Sequence, residues 1–260
     1  MMLRTKYYLK LKIKNKSMSH ISKGKIYLIP STLGGESTSD IIPKDVADKT
    51  ISLRSFAVED IKAARRYLRK LDREFPIDES RFFILNKKSK IDDIQKIIKY
   101  VLEGNDIGIL SDAGCPGVAD PGAELVAFAH EQEIHVTPFV GPSSILLALM
   151  GSGFNGQNFT FSGYLPKERK ERIKKLKDFE GDARRNNRTH IFMDTPFRNM
   201  NVLEDLLNEL ADQTMVCIAH NLTLPNASVR SYTVKEWREK AFDLEKYPTM
   251  FLIGLSQFKI

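Results

Sequence analysis

The sequence predicts an α/β protein of two domains, and three observations predict it. From Lys25 onward, short apolar strand-like runs alternate with helical periods that keep one apolar face. Loops of Gly, Ser, Thr and Pro follow several of those runs, where an open α/β sheet presents its carboxyl edge. A glycine-broken stretch, Gly141 to Gly156, divides the chain into two parts of ordinary domain size. The expected division is a basic extension over residues 1–23, a first α/β domain over 24–140 and a second over 141–260.

In order, Lys25–Ile29 reads as a buried strand that Pro30 ends, with a small-residue loop over 31–40. Glu59–Leu71 reads as a helix with Ile61, Ala64, Tyr67, Leu68 and Leu71 on one face. Arg81–Leu85 is a strand, and Ile91–Leu102 an amphipathic helix closed by Gly104. Asp106–Leu110 is a strand, followed by a loop over 111–120. A helix starts at Pro121, with Asp120 as its N-cap. A strand over Ile134–Phe139 and a short apolar helix over Ser143–Met150 complete this part.

Beyond Gly156, strands are expected near Phe159–Gly163, Thr189–Asp194, Met215–Ala219, Val229–Thr233 and Thr249–Gly254. Helices near Lys167–Phe179, Asn201–Leu210 and Lys235–Ala241 separate most of them, and Gly181–Arg188 reads as a polar loop. In the first part, strands alternating with helices predict a mostly parallel sheet.

Of 260 residues, 42% are hydrophobic and 28% charged, which excludes a disordered chain. The most apolar part of the longest uncharged stretch, Phe139–Phe154, is too short and too interrupted to span a bilayer. Two cysteines far apart, Cys115 and Cys217, form neither a disulfide framework nor a zinc signature, so a reducing, cytoplasmic setting is expected. Arg4, Lys6, Lys10, Lys12, Lys14, Lys16 and Lys23 account for the whole formal charge of +7, and the body is neutral. A basic tail of this kind can hold RNA phosphates. The simpler expectation is an extended or mistaken gene start with Met18 as the initiator, and residues 1–23 are expected to be disordered and not needed for function.

Three loops stand where strands end: Pro30–Gly35, Ser111–Gly122 and Gly141–Ser144. Small residues let the backbone approach a ligand, and a helix start offers free amides to an anionic group. None is a phosphate-binding loop of the GxxxxGK or GxGxxG type.

The blocks Tyr27-Leu-Ile-Pro-Ser-Thr-Leu-Gly34, Ser111-Asp-Ala-Gly-Cys-Pro116, Asp120-Pro-Gly122, Pro138-Phe-Val-Gly-Pro142, Gly163-Tyr-Leu-Pro166 and Met250-Phe-Leu-Ile-Gly254 occur in one order. In that order they resemble the tetrapyrrole methylase superfamily. More closely they resemble its ribosomal RNA small subunit methyltransferase I branch. The resemblance implies two α/β domains with a cofactor cleft between them, S-adenosylmethionine as cofactor, a homodimer and no metal. It implies that Leu33, Ala113, Gly114, Cys115, Val118, Ser143, Ser144, Met193 and Leu222 bind the cofactor. It also implies a small-subunit rRNA substrate, methylated at the ribose 2′-oxygen of a cytidine.

The chain departs from the branch at Val58-Glu-Asp-Ile-Lys62, which lacks a Thr-Arg pair, and at His220-Asn-Leu-Thr-Leu224, which lacks an acid and two bases. A tetrapyrrole or another small acceptor therefore stays open, as does a cofactor-binding protein without catalysis. Glu59 and Asp60 are the candidate bases for a ribose hydroxyl, against the alternative that they merely favour a helix dipole. Arg198 is the candidate for orienting a phosphate, against a solvated charge, and Met193 reads equally as core filler.

Overall fold

The computed structural model describes residues 22–240, 242–244 and 246–256. The expected disorder of the extension falls on residues outside these, except at Ser22 and Lys23. Lys23 Nζ donates to the Gln132 carbonyl at 2.8 Å. The described chain forms two compact units. The first comprises residues up to Ile29, Asp45–Asp112 and Pro116–Phe139; the second comprises Pro30–Lys44, Ala113–Cys115 and Val140 onward. Two loop segments that a single cut after residue 140 would leave in the first unit thus belong to the second.

The first unit holds β1 (Ile26–Ile29), α1 (Lys44–Ser52), β2 (Ser55–Val58), α2 (Ile61–Leu71), β3 (Arg81–Ile84), α3 (Ile91–Leu102), β4 (Ile107–Leu110), α4 (Gly122–Glu131) and β5 (Val136–Pro138). Its sheet is wholly parallel, in the order β3-β2-β4-β1-β5. Strand side chains alternate between faces. Ile26, Ala57, Ile107 and Ile109 pack with the apolar faces of α3 and α4. Tyr27, Ile29, Phe56, Val58 and Leu110 pack on the other face with Ala64, Tyr67 and Leu68 of α2. Fully burying each such side chain is worth about 1.5–3 kcal/mol. The chain leaves β1 for β2 on one side and leaves β4 for β5 on the other. Adjacent β1 and β4 therefore form the topological switch point, where such sheets bind ligands.

The second unit holds α5 (Ser144–Ser152), β6 (Phe159–Tyr164), α6 (Arg169–Asn186), β7 (Thr189–Met193), α7 (Asn199–Glu209), β8 (Met215–His220), β9 (Ser228–Thr233), α8 (Val234–Arg238) and β10 (Thr249–Gly254). Its sheet order is β6-β7-β10-β8-β9. Only β6 and β7 pair in parallel; the other three pairings are antiparallel. The parallel sheet expected from the alternation in the first part is thus confined to the first unit. The β8–β9 connection has no helix to make a crossover, so the two strands return on each other. α5 covers one face over Ala148, Leu149, Ile191 and Leu252. α6 and α7 cover the other over Phe192, Leu206, Phe251 and Trp237, whose indole N–H donates to the Val216 carbonyl at 2.9 Å.

Several boundaries differ from expectation. α6 runs on through Gly181 to Asn186, because Ala183 is buried in the core and Asp182 accepts from Asn186 one turn later. Asn187 then ends the helix in the left-handed region, at φ 48°. α2 begins at Ile61 rather than Glu59, with Asp60 as its N-cap. The N-cap of α4 is Pro121 rather than Asp120. The strand β2 and the helix α1 were not expected.

Candidate cofactor and catalytic sites

The loop after β1 and the loop after β4 meet within the second unit. Ser31 N–H donates to the Gly114 carbonyl at 2.9 Å in an isolated antiparallel bridge. Cys115 Sγ lies 3.4 Å from the Pro142 carbonyl oxygen, which it can reach as a donor. A Cβ on Gly114 would stand 3.2 Å from Leu33 Cδ2 and 3.5 Å from the Pro142 oxygen. Gly114 also sits at φ 75°, where a side chain is strained. A Cβ on Gly141 would overlap the Pro30 ring at 2.2 Å. The three loops read from the sequence are therefore in contact, and glycine is what lets them meet.

Around that meeting, Ser143 caps α5 through its backbone: its carbonyl accepts from Leu147 N–H, and its side chain makes no cap bond. Ser144 opens the helix. Met193 ends β7 and, with Leu222, packs against the apolar cluster of α5 and β10. Both residues are half-buried, so Met193 is part core and part wall. Leu224 stands beside Gly35, 3.0 Å from where its Cβ would be. Thr223 is held at φ 72°, unusual for a β-branched residue. Its hydroxyl and that of Ser31 are buried without hydrogen-bond partners. Burial pushes the Cys115 thiol up, so it stays neutral. Of the nine residues expected around a cofactor, all but Val118 belong to this unit; Val118 lies in the first unit and is 49% exposed.

The first unit gathers acids at the carboxyl ends of β2 and β4. Glu59 follows β2, and its carboxyl lies beside that of Asp120 and accepts from Asp112 N–H at 3.5 Å. Burial, and then the Asp120 carboxyl and its charge, push Glu59 up to about 7; the Asp112 amide opposes them. Burial and the charges of Asp60 and Asp120 also raise Asp112. Asp120 Oδ1 accepts from Gly122 N–H at 2.8 Å and Gly117 N–H at 3.2 Å, which fixes the loop. Asp60 Oδ1 accepts from Ala63 N–H at 2.7 Å. The two expected bases thus separate: Asp60 is a helix cap, and Glu59 is a carboxyl poised near neutrality. Asp112 and Asp120 were missed as partners, although both stand in the quoted loop. Among the described residues, no group of three or more His, Cys, Asp or Glu side chains could hold a metal ion.

Arg198 is placed otherwise than expected. Its Nε donates to Asp194 Oδ1 at 2.7 Å, and its Nη2 bonds Asp194 Oδ2 and the Leu165 carbonyl. The guanidinium braces the turn Pro196–Arg198 that follows β7, where Phe197 is 91% exposed.

A mixed α/β chain with this switch point and these loops has the fold of the tetrapyrrole methylases. The sequence matches the profile described as Tetrapyrrole (Corrin/Porphyrin) Methylases over residues 39–237, and the chain belongs to that family of methyltransferases. Curated relatives named ribosomal RNA small subunit methyltransferase I include one from Vibrio cholerae, 30% identical over 81% of this chain and 69% of its own. One from Thermotoga maritima is 36% identical over 53% of this chain and 58% of its own. The crystal structure of the methyltransferase CobJ superposes with a TM-score of 0.58 at 16% identity, covering 89% of this chain and 94% of that one, a likeness of fold.

Proposed function

We propose that this chain transfers a methyl group from S-adenosylmethionine to small-subunit rRNA, at the ribose 2′-oxygen of a cytidine. The observation that supports this best is the meeting of three small-residue loops at the switch point, in a chain whose curated relatives carry the rRNA methyltransferase name. The residues fit the cofactor. Two buried hydroxyls, of Ser31 and Thr223, are left to bond a polar ligand. Gly114 keeps open a space that a side chain would fill.

S-Adenosylmethionine, when bound, supplies a methyl group made electrophilic by its sulfonium. The sulfonium is a cation without hydrogen-bond donors, so apolar walls and backbone carbonyls suit it. In this reading Leu33, Met193 and Leu222 supply the walls, and Ala113, Gly114 and Cys115 the backbone. Ser143 and Ser144 offer the helix start to a carboxylate, and Val118 packs on the adenosine. Glu59 takes the proton from the acceptor hydroxyl, a role worth about 10²–10⁴-fold in rate. Arg198 acts as a positioning residue, and the Phe197 it fixes offers a face on which a base can stack. No metal takes part.

Among the described residues, no helix is long and apolar enough to cross a membrane. The cytoplasm, where ribosomes are assembled, is the proposed location. A homodimer is proposed from α5, whose Met150 is 79% exposed and whose Leu146 stands exposed one turn earlier. Sedimentation is expected to show a species near twice 29.6 kDa at micromolar concentration. Only the single-chain mass would contradict it.

Methylation of a small acceptor is the second reading. It is favoured by the four carboxyls of Glu59, Asp60, Asp112 and Asp120, which repel phosphates. Incubating the protein with S-adenosylmethionine labelled in its methyl group and small ribosomal subunits from a strain lacking the gene separates the two. Label in the RNA is expected; label absent from RNA but present in a tetrapyrrole acceptor would favour the second.

A further inference from the structure

Beside the carboxyl end of β3, the edge strand of the first sheet, lies an open groove of about 300 Å³. Ile84, Asn86, Lys88, Ser89 and Lys96 line it, with one acid, Asp93, among them. Its place follows from the register: Ile84 pairs with Val58 of β2, and Leu85 N–H donates to the Val58 carbonyl at 2.8 Å. Val58 directly precedes Glu59. The groove therefore lies beside the strand that neighbours β2, and β2 leads directly into the proposed base.

A tight turn builds its wall. Ser89 N–H donates to the Asn86 carbonyl, Asn86 N–H to Ser89 Oγ and Lys88 N–H to Asn86 Oδ1, each at 2.9 Å. Those bonds fix the backbone and leave the Lys87 and Lys88 side chains exposed. Lys87, Lys88, Lys90 and Lys96 outnumber the acids of the same stretch, Asp92 and Asp93. Asp93 is already engaged, by the Lys90 amide and by Lys96 Nζ, each at 3.1 Å. The groove also has an apolar side, formed by Phe83 and by Ile84, which is 41% exposed. Cations beside exposed apolar surface match a strand that alternates phosphates with sugars and bases. The body's overall neutrality hides this, because the acids gather beside Glu59 and the lysines one strand away.

We propose that this groove is a subsite for single-stranded RNA, holding a backbone phosphate of a nucleotide next to the one whose ribose is methylated, with Lys88 and Lys96 as its cations. The inference rests on the rRNA reading above. It gives that reading what the His220–Leu224 stretch lacks, a basic contact close to the acceptor.

The test measures binding of a short fluorescein-labelled single-stranded oligoribonucleotide across a salt series. Wild type is compared with the double variant Lys88→Ala/Lys96→Ala and with Lys235→Ala, an exposed lysine of the other unit. For the double variant, the slope of log affinity against log salt is expected to become shallower by about 0.7 for each phosphate that is no longer neutralised. Its KM for small ribosomal subunits is expected to rise while kcat and S-adenosylmethionine affinity hold, which also shows that it folds. Lys235→Ala is expected to match wild type. A double variant with the wild-type slope and KM overturns the subsite and leaves the rRNA reading standing. A wild type that neither binds the oligoribonucleotide nor methylates the subunits overturns both.

Discussion

Glu59→Gln is expected to lower kcat by about 10²–10⁴-fold while leaving S-adenosylmethionine affinity unchanged, because the amide cannot accept the acceptor's proton. Wild-type kcat should rise with pH through about 7, where Glu59 ionises. Asp120→Asn removes a neighbouring charge but keeps the acceptor oxygen that holds Gly117 and Gly122, so it should move that limb to lower pH. The same group also sets a stability trend. Its folded value, about 7, lies above the ordinary 4.5, so between those values the folded chain holds a proton that the unfolded chain has lost. That contribution is fully present below about 4.5 and is lost as pH rises through 7. Glu59→Gln should therefore flatten the stability profile across this window and melt higher than wild type at pH 8. A variant with wild-type kcat, or a wild-type rate that is flat from pH 6 to 8, would remove Glu59 from the chemistry.

Gly114→Val is expected to abolish cofactor binding. At φ 75° a β-branched residue costs about 1–3 kcal/mol in backbone strain alone. Its Cβ would press on Leu33 at 3.2 Å, with two methyls beyond it in the space between three loops. The Ser31–Gly114 bridge that joins two of those loops would have to shift. Calorimetry with S-adenosylmethionine and with S-adenosylhomocysteine should show no heat for this variant, while far-ultraviolet dichroism keeps its wild-type shape. Gly114→Ala, with the strain but not the methyls, should bind weakly. Wild-type affinity in Gly114→Val would place the cofactor elsewhere.

The sequence was most legible where the signal is local. Pro30, Gly104 and the small-residue runs mark strand and helix ends directly, and the three loops they bound are the ones that meet. Thr249–Gly254 reads as a strand because Met250-Phe-Leu-Ile253 is an unbroken apolar run, and all six residues are buried. What was missed depends on distant partners. Ser55–Val58 is only four residues, fully buried, with no alternation to reveal it. The antiparallel pairing of β10 with β7 and β8 joins segments far apart in the chain, although the helix-free link from β8 to β9 was a usable sign. In the site, Asp120 beside Pro121 looks like a cap from sequence alone. Only the parallel register of β2 on β4 brings the loops that follow them together, and with them Glu59, Asp112 and Asp120. Arg198 looked free because Leu165 is far off in the chain, although Asp194 four residues earlier was a usable sign of a partner. The lysines near Asn86 were hidden by a charge total that cancels over the whole body.

The most direct measurement is mass mapping of methylated nucleosides in small-subunit rRNA from cells with the gene, without it, and complemented with wild type or Glu59→Gln. Loss of one 2′-O-methylated cytidine on deletion is expected, restored by wild type and not by Glu59→Gln. Identical small-subunit rRNA methylation in all four strains would contradict the assignment of rRNA as the substrate.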